Sequence, residues 1–145
     1  MANTKLTIEG SGMQPLLATD YQLLLSSARQ SIELPSSLLL RFVDTTTMAQ
    51  INHATSSHNY ATDVLSINYA EYTPTLAHEL AAEIVICPEV AATNAAQAGQ
   101  SLEDELRMLF VHGLVHIAGH DHAQADDKVR FDSIVSGIID NTKQS

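Results

Sequence analysis

The chain has little of what would carry it into several large protein classes. It holds one cysteine, Cys87, so an internal disulfide is excluded, and the thiol's place at the end of an apolar strand predicts a buried, inert group. No apolar stretch approaches the roughly 20 residues needed to span a bilayer. The N-terminal Met-Ala-Asn-Thr-Lys-Leu lacks the apolar region of a signal peptide. These features lead to the expectation of a cytoplasmic protein that does not engage a membrane. Positive charge is scarce too: 7 Lys and Arg stand against 17 Asp and Glu, a net charge of -10 with no basic run. Nucleic-acid affinity rests largely on cations displacing counterions from phosphates, so non-specific RNA binding is predicted to be weak and salt-sensitive. An acidic surface suits docking to basic proteins, or simply keeps the chain soluble. There are no internal repeats, and 145 residues that are 45% hydrophobic predict a single domain, residues 1–145, with one core.

Histidine, by contrast, is concentrated. Four of the seven fall in residues 112–122, His-Gly-Leu-Val-His-Ile-Ala-Gly-His-Asp-His. On a helix, His112 and His116 differ by roughly 40° of rotation and one turn of rise, so both imidazoles reach one point. Gly119 permits a sharp turn at the helix end, and His122 can then swing back. Three neutral nitrogen ligands with an open fourth position describe a catalytic zinc site rather than a closed structural one. Nickel, copper and iron also accept imidazole. His120, four residues after His116, could substitute for His122, but is read first as cleft lining or as a support for the ligands. Asp121 either orients a ligand imidazole or terminates the helix.

The three histidines and the glycine share the intervals of the metzincin proteases, H-E-x-x-H-x-x-G-x-x-H. Gly113 replaces the glutamate that deprotonates water in those enzymes, and glycine cannot serve as a base. It also costs a helix about 1 kcal/mol against alanine, which predicts that backbone or substrate comes close there.

The same segment resembles the H-G-x-L-H-L-x-G-Y-D-H signature of the YbeY family, metal-dependent bacterial endoribonucleases of ribosomal RNA maturation. Val115 stands where that family has leucine, Ile117 is a conservative change, and His120 stands where tyrosine is commoner. Thr62-Asp63-Val64-Leu65-Ser66 matches its T-D-V-L-S stretch, and Glu83-Ile84-Val85-Ile86-Cys87 resembles its D/E-I-V-I strand. Ser101 to Leu106 matches the S-x-x-x-E-L run before the metal helix. Together these motifs cover roughly residues 50–122. The resemblance implies a zincin-like α+β fold with a mixed four-stranded sheet and a central metal helix. It also implies a single divalent ion, most simply Zn2+, and single-stranded or ribosomal RNA as partner. Basic ribosomal proteins are further candidate partners, and the chain is expected to be a monomer. Asp63 becomes the candidate helper in catalysis, weighed against a turn or cap at the start of a strand. Asn52, Thr62 and Ser66 become candidate substrate contacts, weighed against bonds to backbone.

One position departs from the family pattern. In the stretch L-N-x-x-(Y/F)-R-x-K-D-x-x-T-D-V-L-S, Ile51 and Asn52 fit the start, but Ser56 stands at the arginine and His58 at the lysine. A guanidinium clamps phosphate through two parallel hydrogen bonds, whereas serine offers one neutral hydroxyl. His53 and His58 lie nearby as possible sources of positive charge. Three functions follow from these residues: the endoribonuclease; a metal-bearing ribosome-assembly factor with little or no cleavage; and a metal-dependent hydrolase of another class, including a peptidase, against which Gly113 stands.

Periodicity predicts the elements. Strands are expected at Lys5–Glu9, Ser37–Val43 (with Leu38, Leu40 and Phe42 on one side), Val64–Tyr69 and Glu83–Cys87. Helices are expected over Leu16–Ile32 and Thr45–Asn52, with a polar loop through Ser56, Ser57 and Asn59, and a further loop over Tyr72–Leu80 containing Pro74. Helical patterning resumes from Pro88 to Ala98, breaks at Gly99 and restarts at Ser101, whose neighbours Glu103, Asp104 and Glu105 suit a helix start. Leu102, Leu106, Leu109 and Leu114 form the stripe that buries this helix. A last helix runs from Asp126 to Ile139, with Val129, Ile134, Val135 and Ile138 as its inner face, and Asn141–Ser145 reads as frayed. Strands set apart from a cluster of helices indicate an α+β domain.

Overall fold

Local chemistry sets the ends of the helix that carries the histidines. In the computed structural model, which describes residues 4–10, 14–56, 62–69, 81–120 and 125–143, helix α3 (Pro88–Ala98) opens on a proline and ends at Gly99, where φ is +70°. Ser101 then caps helix α4 (Leu102–Ile117), its Oγ accepting from the Asp104 amide at 3.1 Å. The remaining elements are strand β1 (Lys5–Glu9), helix α1 (Ala18–Ala28), β2 (Ser37–Phe42), α2 (Thr45–Ser56), β3 (Val64–Asn68), β4 (Ala82–Ile86) and α5 (Ala125–Lys143).

The strands form a four-stranded sheet in the order β1-β2-β4-β3. Strands β1, β2 and β4 are parallel neighbours, and β3 runs antiparallel to β4 at the edge, so the sheet is mixed. Every residue of β4 is buried, as its continuous apolar run with neighbours on both sides requires. Alternation sends Leu38, Leu40, Phe42, Ile84 and Ile86 to one face, where they meet α1, α4 and α5 in the main core. Val85 and Cys87 pack with Met48 of α2 in a smaller second cluster. Helix α4 lies against β3 and β4 and is flanked by α1, α3 and α5. Leu106, Leu109, Phe110, Val111, Leu114 and Val115 are all buried. At roughly 1.5–3 kcal/mol for each large apolar side chain, that burial fixes the helix's rotation and hence the direction of its histidines. Among the described residues no helix is long and apolar enough to cross a membrane.

Several expected boundaries move. The regular part of α1 stops at Ala28, and a tighter turn, with the Ser31 amide on the Ala28 carbonyl at 3.0 Å, still returns Ile32 to the core. Helix α2 runs one turn past Asn52 to Ser56. Its start is fixed by Asp44, whose Oδ1 accepts from the Thr47 amide at 2.7 Å. This bond holds the exposed Asp44 carboxyl below the usual carboxylate range. Strands β2, β3 and β4 differ by a residue at one or both ends. Helix α5 reaches Lys143, past the point expected to fray, with Thr142 Oγ1 donating to the Ile139 carbonyl at 2.6 Å. Its inner face includes Phe131, Val135 and Ile138, while Val129 is 71% exposed. Residues 131, 135 and 138 share a face, and Val129 sits about 200° away from Phe131. The loop expected over Tyr72–Leu80 lies outside the described residues, as do Ser57, His58, Asn59, Asp121 and His122.

The second face of the sheet carries a charge inside an apolar strand. Glu83 is buried on β4, its Oε2 2.6 Å from Arg41 Nε on the adjacent strand β2. Tyr69 Oη donates to Glu83 Oε1 at 2.6 Å. Burial first, and then this bond to a carboxylate, push the Tyr69 hydroxyl up to about 12 from 10.0. The folded state therefore binds the phenol proton more tightly than the unfolded chain does. The stability this confers is complete below pH 10 and is lost as pH rises through 10 towards 12. Tyr21, buried between Phe42 and Phe110, is shifted upward as well. Urea unfolding between pH 8 and pH 11.5 is expected to show a falling midpoint, with a shallower fall in Tyr69→Phe. Equal slopes in the two proteins would refute the assignment.

Candidate metal centre

His112 and His116 stand one turn apart on α4, both half-buried, with ring centroids 4.8 Å apart and ring planes at 71°. Two imidazoles sharing one tetrahedral ion at metal–nitrogen distances of about 2.0–2.1 Å place their centroids about 5 Å apart. The observed pair fits that demand. His112 also lines a cleft of about 530 Å³ between α4 and α5, together with Arg107, Met108, Val135 and Lys143. The Arg107 guanidinium there is held by Asp104 at 3.0 Å.

Gly113 lies between the two histidines, on the face of α4 turned to the sheet. A Cβ at this position would sit 3.0 Å from Cδ1, 3.1 Å from Cγ1 and 3.2 Å from Cγ2 of Ile84. The close approach expected from the sequence is thus to the side chain of a central strand residue. Gly113→Ala is expected to lower stability by about 1 kcal/mol, since an overpacking cost of about 1–3 kcal/mol exceeds a helix-propensity gain of about 1 kcal/mol. Trimming the opposing side chain with Ile84→Val should recover part of that loss. A urea-unfolding double-mutant cycle measures the coupling, and strictly additive effects would contradict the contact.

At its C-terminus α4 ends as the sequence requires. Gly119 takes φ +100°, its amide donates to the His116 carbonyl at 3.0 Å, and the His120 amide donates to Val115 at 3.3 Å. Among the described residues nothing lies within 4 Å of a Cβ built on Gly119, and the positive φ is what calls for glycine here. Asn68 Nδ2, on β3, donates to the Ile117 carbonyl at 3.5 Å at this same end. His120 is half-buried just beyond the turn. Among the described residues no group of three or more His, Cys, Asp or Glu side chains is arranged to hold a metal; His122, the third histidine of the motif, lies outside them.

The other residues singled out by sequence fall in different places. Asp63 sits at the start of β3. Its Oδ1 accepts from the Val64 amide at 2.8 Å and from Thr62 Oγ1 at 3.4 Å, and its Oδ2 accepts from Asn94 Nδ2 of α3 at 3.1 Å. The Asp63 carbonyl also receives the Cys87 amide at 2.9 Å. This bonding ties the start of β3 to α3 and to the end of β4, and favours the strand-capping alternative for Asp63. Ser66 is half-buried and pairs with Ile84, the residue under Gly113, so it faces α4. Asn52 is buried on α2, the helix whose Met48 packs with Val85 on the sheet's other face, and His53 is exposed on that helix. Ser56 is the last residue of α2.

Sequence reasoning missed Phe131. Its ring, buried on α5, lies 4.7 Å from each of the His112 and His116 rings, centroid to centroid, at interplanar angles of 67° and 51°. Its spacing of four and seven residues from Val135 and Ile138 was the available signal.

Comparison with known proteins gives the family and the fold. The family profile described as Endoribonuclease YbeY matches residues 7–143. The protein named Endoribonuclease YbeY from Thermobifida fusca is 33% identical over 113 residues, spanning 74% of this chain and 73% of the relative. Its namesake from Streptomyces coelicolor is 35% identical over 121 residues, spanning 78% and 73%. Among solved structures, the solution structure of TM1509 from Thermotoga maritima superposes with a TM-score of 0.59 at 18% identity. It covers 97% of this chain and 92% of that one, a likeness of fold.

Proposed function

This chain belongs to the YbeY family of endoribonucleases, and on that premise we propose that it is a metal-dependent, single-strand-specific endoribonuclease acting in ribosomal RNA maturation in the cytoplasm. The observation that carries the reading is the imidazole pair on α4, spaced to share one ion and followed by a glycine turn. His112, His116 and His122 would hold the ion. When bound, a zinc-class ion supplies acidified water and a polarised phosphoryl oxygen.

The chain's own groups do the rest. Gly113 leaves no proton acceptor on the helix between the ligands, which separates this site from a metzincin peptidase. Ser66, on the face turned to α4, can donate its hydroxyl to a phosphate oxygen. Thr62 directs its hydroxyl to Asp63, so Thr62 and Asp63 act in this reading by fixing the start of β3, and Asn52 by ordering α2 ahead of Ser56. The cheapest test is cleavage of a labelled single-stranded RNA by the metal-loaded protein, with a duplex of the same sequence alongside. Metal-dependent cleavage of the single strand alone supports the reading, whereas cleavage that survives complete metal removal contradicts it.

A second reading, a metal-bearing ribosome-assembly factor with little cleavage, is favoured by Ser56 and by the net charge of -10, which suits basic ribosomal proteins. Ser56→Arg separates the two. If weak phosphate binding limits a genuine nuclease, the new guanidinium is expected to raise kcat/KM about tenfold, the worth of one charge-assisted contact. It should also steepen the salt dependence by about one phosphate. No gain in rate over a salt series would favour the assembly factor.

A further inference from the structure

We propose that Phe131 is a positioning residue for the metal, its buried ring pinning both α4 imidazoles in the orientation that receives the ion. The inference rests on the metal reading above. One aromatic side chain contacts two candidate ligands at the same centroid distance, 4.7 Å, and does so from a different helix. Neither contact is a stack: the interplanar angles of 67° and 51° belong to the tilted and edge-on geometries that aromatic pairs prefer. Imidazole rings bound to a dication become poorer in electrons, which strengthens their attraction to a neighbouring π system.

Side-chain freedom gives the contact its consequence. Each histidine, half-buried on one wall of the helix, must give up its alternative rotamers before it can share an ion with the other. A ring wedged against both has already restricted that freedom in the folded protein, so the ion meets a pre-set pair. Phe131 is 1% exposed, so water competes little for the ring contacts. The same contact joins α5 to the metal helix, and the ring itself, rather than the stability of α5 as a whole, sets the imidazoles.

The experiment compares zinc affinity by competition with a chromophoric chelator in wild type, Phe131→Leu and Ile138→Ala, with visible spectra of the Co(II)-loaded proteins. Ile138 is buried on the same helix about two turns further on, and its truncation destabilises α5 without removing the aromatic ring. The expected result is zinc binding about tenfold weaker in Phe131→Leu, with altered Co(II) bands, and near wild-type binding and bands in Ile138→Ala. Phe131→Met, a second ring deletion of similar volume, should repeat the loss and serves if the leucine variant fails to fold. Unchanged affinity in the ring deletions would overturn the inference, as would equal weakening in Ile138→Ala. Wild-type protein that binds neither zinc nor cobalt would overturn the metal reading together with this inference; tight wild-type binding that Phe131→Leu leaves intact overturns this inference alone.

Discussion

His116→Ala is expected to lower single-stranded RNA cleavage at least about 100-fold while the protein stays folded. Loss of a partner that merely supports a metal ligand typically costs 10–100-fold in affinity or activity, so loss of a ligand sets that range as a floor. The side chain is half-buried and its ring lies against Phe131, whereas the Leu106, Leu109 and Leu114 stripe that seats the helix is fully buried. Truncation therefore removes a nitrogen donor and two ring contacts, to His112 and Phe131, but leaves the buried leucines of α4 in place. Rates at saturating zinc, with far-UV circular dichroism as a check on folding, measure the effect. Cleavage within a few-fold of wild type would show that the nuclease activity does not pass through the histidine pair.

Glu83→Ala is expected to lower stability by about 3 kcal/mol, a loss on the scale of deleting a large core side chain. Breaking a buried ion pair by removing one partner costs about 3–5 kcal/mol, and the lower end applies because the Arg41 side chain is 34% exposed and can regain water. The change also leaves the Tyr69 hydroxyl without its carboxylate acceptor. Glu83 neighbours Ile84, over which Gly113 packs, so a disturbed β4 also unsettles the seat of the metal helix. Replacing both charges, Glu83→Leu with Arg41→Met, should restore most of the loss, since apolar pairs of similar volume often match buried ion pairs. Urea unfolding of wild type, single and double variants supplies the numbers. A Glu83→Ala protein within 0.5 kcal/mol of wild type, on the scale of an ordinary surface change, would refute the network's role.

Features that depend on a few adjacent residues were legible in the sequence. Gly99 and Ser101 mark the break and restart before α4, and Gly119 marks its end, because a left-handed backbone angle and a capping hydroxyl are local demands. The interior strand at Ala82–Ile86 showed in its apolar run. Features decided by contacts across the chain were not legible. The cost of glycine at 113 was visible, but its neighbour Ile84, 29 positions earlier, required the strand order. Glu83 read as the first residue of a strand, and its partner Arg41 emerged only from the pairing of β2 with β4. On α5 the sequence pattern put Val129 on the inner face and passed over Phe131, which packing buries against the histidines while Val129 stays exposed. For Asp63, sequence left a catalytic and a capping role open; the hydrogen bonds to Val64 and Asn94 favour the second.

The central claim is that α4 holds a metal through its histidines, and elemental analysis of protein purified without nickel resin tests it most directly. The account predicts about one zinc-class ion per chain, the stoichiometry of a three-imidazole site, lost or greatly reduced in His116→Ala. Wild-type protein that carries no metal and takes up no added zinc would contradict it.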